Sequence, residues 1–300
     1  MRAILYVLGC AACLTACGDS STTTSTASKE ASRSGATSAA PKKSAAPAAS
    51  PAPSPSAAPP AAASSSAAVA EGPPAKVRLV NVYLEGGKGQ AVDIWSKPFK
   101  GEAKALAKDV GFGKASDWFD LPEGVGRGGA DYVQVKIVPA GSGAGGKEIH
   151  SIGRLEPGSK VTEILATSDS GQGTMQPNAE VGKDAPKAPA AGKGLVVANA
   201  MQLIPYEKDL TETYGGRSFH LSQSGAECLN KTVLGGTNRW SEALAPGKTK
   251  LRFHKWPGDC KSAPVFEIDV DVAADKGTLV VLYTADGKKI ESLQVPMELK

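Results

Sequence analysis

The side chains that can build a hydrophobic core are confined to one part of this 300-residue chain. Every Phe and Trp lies at or after Tyr83, whereas Gly18 to Ala75 is almost all Ser, Thr, Ala, Pro and Gly, with Val69 as its only large apolar side chain. Such a segment buries too little apolar surface to offset the entropy that ordering costs. The sequence therefore predicts a disordered tether over residues 17–75 and folded material over residues 76–300.

The folded material divides into two pieces of similar length. A polar, proline-containing stretch separates them, which predicts domains over residues 76–171 and 194–300 joined by a linker over residues 172–193. Both pieces show the same order of features: an apolar strand, a glycine turn leading to a tryptophan and a further turn, and two more strands. In the first piece these four features lie at 77–82, 111–124, 133–141 and 161–171. In the second they lie at 195–200, 235–247, 251–258 and 279–287. The shared order predicts a tandem repeat.

Alternation of apolar and polar residues indicates strands in both pieces. It is clear over residues 132–137 and 267–272, and Asp286-Gly287 is typical of a tight hairpin turn. No stretch after Cys17 has a sustained helical period. We therefore expect an all-β protein with two antiparallel immunoglobulin-like β-sandwich domains after the tether. A single larger sandwich of the jelly-roll kind is the alternative, and the proline-containing stretch between the pieces disfavours it.

One hairpin can be predicted in detail from its charges. If Leu251 and Phe253 are buried, the basic residues that alternate with them along the strand face water, opposite acidic residues of the next strand. Residues 255–266 would then form the connecting loop. The predicted pairs are Lys250 with Asp271, Arg252 with Asp269, and His254 with Glu267. A calcium site on the acidic residues is the alternative, and the cations opposite them disfavour it.

The first residues of the chain have the pattern of an export signal. Arg2 precedes a short apolar run over residues 3–13, and Leu14-Thr15-Ala16-Cys17 follows. The run is shorter than the roughly 20 residues that a membrane-spanning helix needs. This pattern resembles the signals of bacterial lipoproteins. The resemblance implies a signal peptide over residues 1–16, acylation of Cys17, and membrane association through the lipid anchor. An ordinary secretory signal with an incidental cysteine is the alternative.

A second resemblance concerns the first folded piece. Its motifs are Val77 to Val82, Ala91 to Trp95, Leu121-Pro122-Glu123-Gly124 and Val135 to Gly141. Residues 76–171 thereby resemble the bacterial domain-of-unknown-function family four-three-nine-seven, and residues 194–300 do so weakly. The sequence departs from that family in its first motif, where Asn-Val-Tyr replaces His-Ala-Ser-Pro. The resemblance implies an extracytoplasmic bacterial domain, often found in tandem, without an established activity.

Two cysteines of the second piece predict a disulfide. Cys228 and Cys260 remain once the signal is removed and Cys17 is acylated, and exported proteins meet an oxidising environment. A metal or redox site is the alternative. It lacks C-x-x-C spacing and has only His220 and His254 nearby. We therefore expect a disulfide and no metal or cofactor.

The residue patterns of known catalytic sites are not found in the sequence. It contains neither H-E-x-x-H nor G-x-S-x-G, and its net charge of +4 is spread thinly rather than clustered for nucleic acid. The sequence thus predicts a non-catalytic binding or structural module of the cell envelope, periplasmic or on the cell surface, whose partner is an envelope protein or polysaccharide.

Two rival functions depend on particular residues. A carbohydrate-binding surface protein would use exposed tryptophans in a row, and the chain has Trp95, Trp118, Trp240 and Trp256. Trp118 and Trp240 occupy the same place in the two pieces, so we expect both in a core. An envelope hydrolase would instead need a dispersed site made from Asp93, Asp117, Asp120 and His150.

Overall fold

The computed structural model describes residues 72–126, 130–223, 227–229, 233–236 and 238–299. The predictions for the signal peptide, for Cys17 and for the tether up to residue 71 fall outside these ranges. Nearly all of the regular secondary structure in the described chain is β-strand, arranged in several sheets, with one 3-10 helix and one short α-helix, which confirms the all-β class. Among the described residues, no helix has the length and apolar character that crossing a bilayer requires.

Residues 72–181, which we call the N-terminal half, contain eleven of the strands in the described ranges. Two sheets stand out: the first outer sheet has the order β5-β4-β8-β9, and the first inner sheet has the order β11-β10-β1-β6, with β7 also paired to β1. The strands are β1 (Lys76–Val82), β2 (Leu84–Glu85), β3 (Lys88–Gly89), β4 (Val92–Pro98), β5 (Lys104–Val110), β6 (Lys114–Ala115), β7 (Phe119–Asp120), β8 (Val133–Pro139), β9 (His150–Ile152), β10 (Lys160–Thr167) and β11 (Gly173–Val181).

Residues 194–299, which we call the C-terminal half, contain the other strands of the described ranges. The second inner sheet has the order β14-β12-β17-β18, and the second outer sheet has the order β13-β15-β16. The elements are β12 (Gly194–Asn199), a 3-10 helix (Met201–Tyr206), α1 (Glu207–Tyr214), β13 (Phe219–Ser222), β14 (Arg239–Leu244), β15 (Gly247–Lys255), β16 (Phe266–Val272), β17 (Gly277–Tyr283) and β18 (Glu291–Met297).

The four sheets pack as successive layers, with the two inner sheets against each other. On β1, Val77 and Leu79 join an apolar cluster with the first outer sheet, while Val80 and Val82 join a cluster with the second inner sheet. A third cluster fills the space between the second inner and second outer sheets. Both inner sheets are therefore buried on both faces. Their strands β1 and β10 pair in parallel, as do β12 and β17, which is typical of strands covered on two sides.

The inner sheets of the two halves share the same pairing of their main strands, although the outer sheets differ in strand number. In each half the first strand pairs in parallel with a later strand, which pairs in turn with an antiparallel edge strand, β11 or β18. The first strands correspond as elements but not residue by residue. Asn81 faces the outer sheet of its own half, whereas Asn199 faces the other half. The matched sequences are therefore offset by one residue in the structure, and an offset of one residue reverses the face to which every side chain of a strand points.

The structure moves two of the expected boundaries. Strand β11 lies inside the stretch 172–193 that the sequence predicts to be a linker. At the other end, Pro73 and Ala75 contact folded parts of the chain, although the sequence predicts a tether up to residue 75. The main-chain oxygen of Pro73 accepts a hydrogen bond from the Gly158 N–H at 2.7 Å, and Ala75 is buried. The polar composition of both segments conceals these contacts, which form with distant parts of the chain.

Helix α1 is an element that the periodicity argument missed. Leu210 is the only buried one of its eight residues, and Tyr214 packs partly buried against the same core. Two apolar contacts are too few to produce a repeating apolar face. Its end was visible in the sequence. Gly215 adopts a left-handed conformation at φ 76° and donates its N–H to the Leu210 and Thr211 carbonyls, as glycine commonly does after a helix.

The charged hairpin forms from β15 and β16, but its predicted register is wrong by two residues. Its cross-strand pairs are Lys248 with Asp271, Lys250 with Asp269, and Arg252 with Glu267. Leu251 and Phe253 are fully buried, as expected. His254 is only 2% exposed, so it is not part of the solvent-facing row of charges. A shift of two residues preserves which side chains face the core, so alternation alone could not distinguish the two registers.

Candidate functional site

A cavity of about 630 Å³ opens where β4, β5 and β8 meet the segment 72–75. That segment is fixed by backbone hydrogen bonds on both sides. The Pro73 carbonyl accepts from Gly158 as described, and the Ala75 carbonyl accepts from the Leu121 N–H at 2.8 Å. The cavity wall is therefore held by main-chain contacts.

The cavity has an apolar wall and a charged rim. Its apolar side chains belong to or extend the cluster between the first outer and first inner sheets: Leu106, Leu121, Val125, Val133, Leu155, Pro73, Pro74, Pro98, Pro122 and Pro157. Its charged residues have both signs: Glu102, Lys104, Asp120, Glu123 and Arg154. Only Asp120 has an ion pair among the described residues, with Lys76 at 2.9 Å. The remaining charges are available to a ligand.

One glycine shapes the turn beside this cavity. Gly124 has φ +84°, and a Cβ at this position would lie 2.0 Å from the main-chain oxygen of Asp131. Any other residue would force the turn apart. The sequence pointed to Leu121-Pro122-Glu123-Gly124 as a turn shared by the repeats, but not as a cavity wall. The other walls come from distant segments, which no local pattern connects.

The proposed hydrolase residues have separate structural partners. The Asp93 carboxylate is buried and accepts hydrogen bonds from the N–H groups of Asp109 at 2.8 Å and Gly141 at 3.0 Å. It therefore organises two connections of the first outer sheet. Asp120 pairs with Lys76 at the cavity rim. No contact joins any two members of the set Asp93, Asp117, Asp120 and His150 among the described hydrogen bonds and ion pairs.

The four tryptophans lie in four different settings. Trp240 is in the core of the C-terminal half, as expected, but Trp118 is only partly buried. Its ring stacks on the guanidinium of Arg78, which lies 4.6 Å from the ring centre. Trp118 therefore contacts a charged side chain of β1 rather than an apolar core. Trp95 lies on β4 beneath the Lys108 ammonium, and Trp256 is 49% exposed after β15. The rings make no row on a single sheet.

Cys228 and Cys260 form a disulfide in the structure, in agreement with the sequence expectation. Close to it on the second outer sheet, the Ser222 hydroxyl lies 2.8 Å from His254 Nε2, and His254 Nδ1 lies 3.0 Å from the main-chain oxygen of Ser262. A serine beside a histidine is the pairing used by nucleophilic hydrolases. Here Ser222 is fully buried and His254 nearly so, and neither lines a described cavity. The pair holds the 256–265 loop against β13.

Buried charges lie within the inner layers. The Arg78 guanidinium contacts the Glu180 carboxylate at 2.7 Å, the Thr162 hydroxyl at 3.0 Å and the main-chain oxygen of Pro296 at 2.8 Å. Burial lowers the pKa of Arg78, and the Glu180 carboxylate opposes this effect. Glu163, on the opposite face of β10, has no such partner in the described part of the chain, and burial raises its pKa to about 7.

No group of three or more His, Cys, Asp or Glu side chains suited to a metal ion occurs within the described ranges. No protein-family model matches the chain, and comparison with curated proteins finds no significant relative. The family resemblance expected for residues 76–171 therefore stays a prediction made from short motifs.

Proposed function

We propose that this protein is a lipid-anchored, extracytoplasmic binding module of the bacterial cell envelope, with two immunoglobulin-like β-sandwich halves and no catalytic role. The observation that supports binding is the 630 Å³ cavity with its apolar wall and unpaired rim charges. Cavities of roughly 300 to 1,000 Å³ with a few polar groups are typical small-molecule sites. The ligand that suits this cavity is a small molecule with an apolar body and a polar end.

The binding proposal is tested with a fluorescent apolar probe, 8-anilinonaphthalene-1-sulfonate. The full chain carrying Cys17→Ser removes the proposed acylation site, so no detergent competes for the probe. We expect saturable fluorescence enhancement that is lost in Leu106→Trp, because the larger ring fills the cavity from β5. The matched control Leu293→Trp alters a half-buried leucine outside the cavity and should keep the enhancement. Saturable binding that survives Leu106→Trp would show that the cavity is not the site.

The membrane anchor is tested at Cys17. We expect mass spectrometry of protein from bacterial membranes to find an acylated Cys17 as the N-terminal residue. The Cys17→Ser variant should move to the soluble fraction, because the acyl chains are the only membrane attachment proposed. Wild-type protein that starts at another residue without lipid would refute the anchor but leave the cavity experiment unaffected.

A further inference from the structure

A second cavity, of about 390 Å³, lies between the two halves of the described unit. Strand β11 of the first inner sheet contributes Asn178 and Ala179. In the second inner sheet, β12 contributes Leu195 and Val197, and β14 contributes Arg239 and Ser241. Residues 184–187, which follow β11, form another side. The cavity therefore exists only because the two inner sheets stack, and it is separate from the 630 Å³ cavity, with which it shares no lining residue.

One wall of this junction cavity is apolar. Leu195, Val197 and Met297 are each less than 10% exposed, and all three belong to the cluster that joins the two inner sheets. Ala185 and Pro186 add apolar surface from the connecting segment. A ligand seated here can bury a branched aliphatic group.

A buried hydrogen-bond acceptor in the cavity lining lacks a partner. Asn178 is 1% exposed, and its Nδ2 donates to the main-chain oxygen of Gln176 at 3.2 Å. Its Oδ1 accepts no hydrogen bond from the described residues. The next residue on the same face of β11, Glu180, is satisfied by Arg78 and by the Glu298 N–H at 2.7 Å. Leaving a buried acceptor unsatisfied costs about 1 to 3 kcal/mol, so Asn178 Oδ1 is a ready site for a ligand N–H.

The same lining carries an excess of positive charge. Arg239 on β14 and Lys187 contribute cations, against a single carboxylate from Asp184. Within the described ranges, neither Arg239 nor Lys187 has an ion pair. An arginine in this position suits a carboxylate, which its planar guanidinium can bind with two hydrogen bonds.

We propose that the junction cavity binds a small N-acyl amino acid with an apolar side chain. Its amide N–H donates to Asn178 Oδ1, its side chain packs on Leu195 and Val197, and its carboxylate pairs with Arg239. A neutral amide N–H suits a buried neutral acceptor better than a free ammonium group, which would lose its hydration without a counter-charge. The cavity volume is in the range that holds small ligands.

The experiment is isothermal titration calorimetry of the full chain with three related probes. N-acetyl-L-leucine has all three features, N-acetyl-L-leucinamide lacks the carboxylate, and 4-methylpentanoate lacks the amide N–H. We expect N-acetyl-L-leucine to bind about tenfold tighter than either of the others, since each loses one hydrogen-bonded contact. Equal affinity for the three probes, or no binding of N-acetyl-L-leucine, would overturn the proposal.

Variants locate the binding on the structure. Arg239→Gln should weaken N-acetyl-L-leucine about tenfold and leave N-acetyl-L-leucinamide unchanged, because only the first has a carboxylate to lose. Asn178→Leu should weaken both probes that carry the N–H. The control Arg154→Gln changes an unpaired arginine of the other cavity and should have no effect, as should Leu106→Trp. Full affinity in both Arg239→Gln and Asn178→Leu would place the ligand elsewhere and overturn the proposal.

Discussion

At the residue scale, Glu163 is a buried carboxyl group that forms no ion pair with any residue the structure describes. It lies on β10 opposite Leu79 and faces the first outer sheet, where it is 6% exposed. The side chains of its neighbours Arg78 and Thr162 lie on the other face of the inner sheet, where they contact each other. Burial therefore favours the protonated form, and the pKa of Glu163 rises from 4.5 to about 7.

The raised pKa predicts that Glu163 makes stability fall as pH rises. Between pH 4.5 and about 7 the folded protein keeps this proton and the unfolded chain loses it, so unfolding becomes easier. The loss is complete above pH 7 and amounts to about 3 kcal/mol at most. We expect Glu163→Gln to remove this part of the pH dependence in urea unfolding between pH 4 and 8. The exposed control Glu156→Gln should keep it, and an unchanged slope in Glu163→Gln would contradict the assignment.

At the element scale, the β15–β16 hairpin combines a buried apolar face with a charged one. Lys250 Nζ lies 3.0 Å from Asp269 and 3.5 Å from Glu267, and Arg252 Nε lies 2.9 Å from Glu267. The hydrogen bond and charge of Asp269, with a smaller effect of Glu267, raise the pKa of Lys250. These side chains remain accessible to water, so their attraction is screened and serves mainly to select the register.

The Arg252–Glu267 pair tests that register. Arg252→Glu should lower stability by less than about 1 kcal/mol, because it places like charges directly opposite each other. Adding Glu267→Arg should restore most of the loss, since the opposite charges are again paired. Urea midpoints at low and high salt measure the effect, which should shrink with salt. The register would be in doubt if Asp269→Arg, and not Glu267→Arg, rescued Arg252→Glu.

At the scale of the whole molecule, the two halves are joined by apolar contact and by a buried polar network. Arg78 reaches from β1 to the main-chain oxygen of Pro296, which lies in β18 of the other inner sheet. Glu180 pairs with Arg78 and also accepts the Glu298 N–H. The described residues belong to one compact unit, so we expect the halves to unfold together.

The buried ion pair gives a sharp test of this junction. Arg78→Met should cost about 3 to 5 kcal/mol, because it leaves the Glu180 carboxylate buried and unpaired. The double variant Arg78→Met with Glu180→Leu should recover most of that loss, since no charge then remains unpaired. Urea unfolding followed by tryptophan fluorescence gives both values. A small loss in Arg78→Met, or a double variant as unstable as the single one, would show that the pair does not stabilise the junction.

The sequence alone determined the features that depend on neighbouring residues and on counting. Alternation identified strands such as β8 and β16, and the parity of cysteines identified the Cys228 to Cys260 disulfide. The order of turns predicted a tandem repeat. Each of these signals is local or compositional, so it needs no knowledge of which sheet packs on which.

Tertiary structure decided the rest, because burial of a face depends on what covers it. Strand β11 contains Pro177 and is polar enough to be taken for a linker, yet it is an edge strand whose Asn178 and Glu180 are covered by the second inner sheet. The hairpin register was ambiguous by two residues, because that shift leaves the same side chains facing the core and only the complete set of contacts distinguishes the registers. Both cavities are assembled from segments far apart in the chain, so only the packing of sheets and connecting segments brings their walls together.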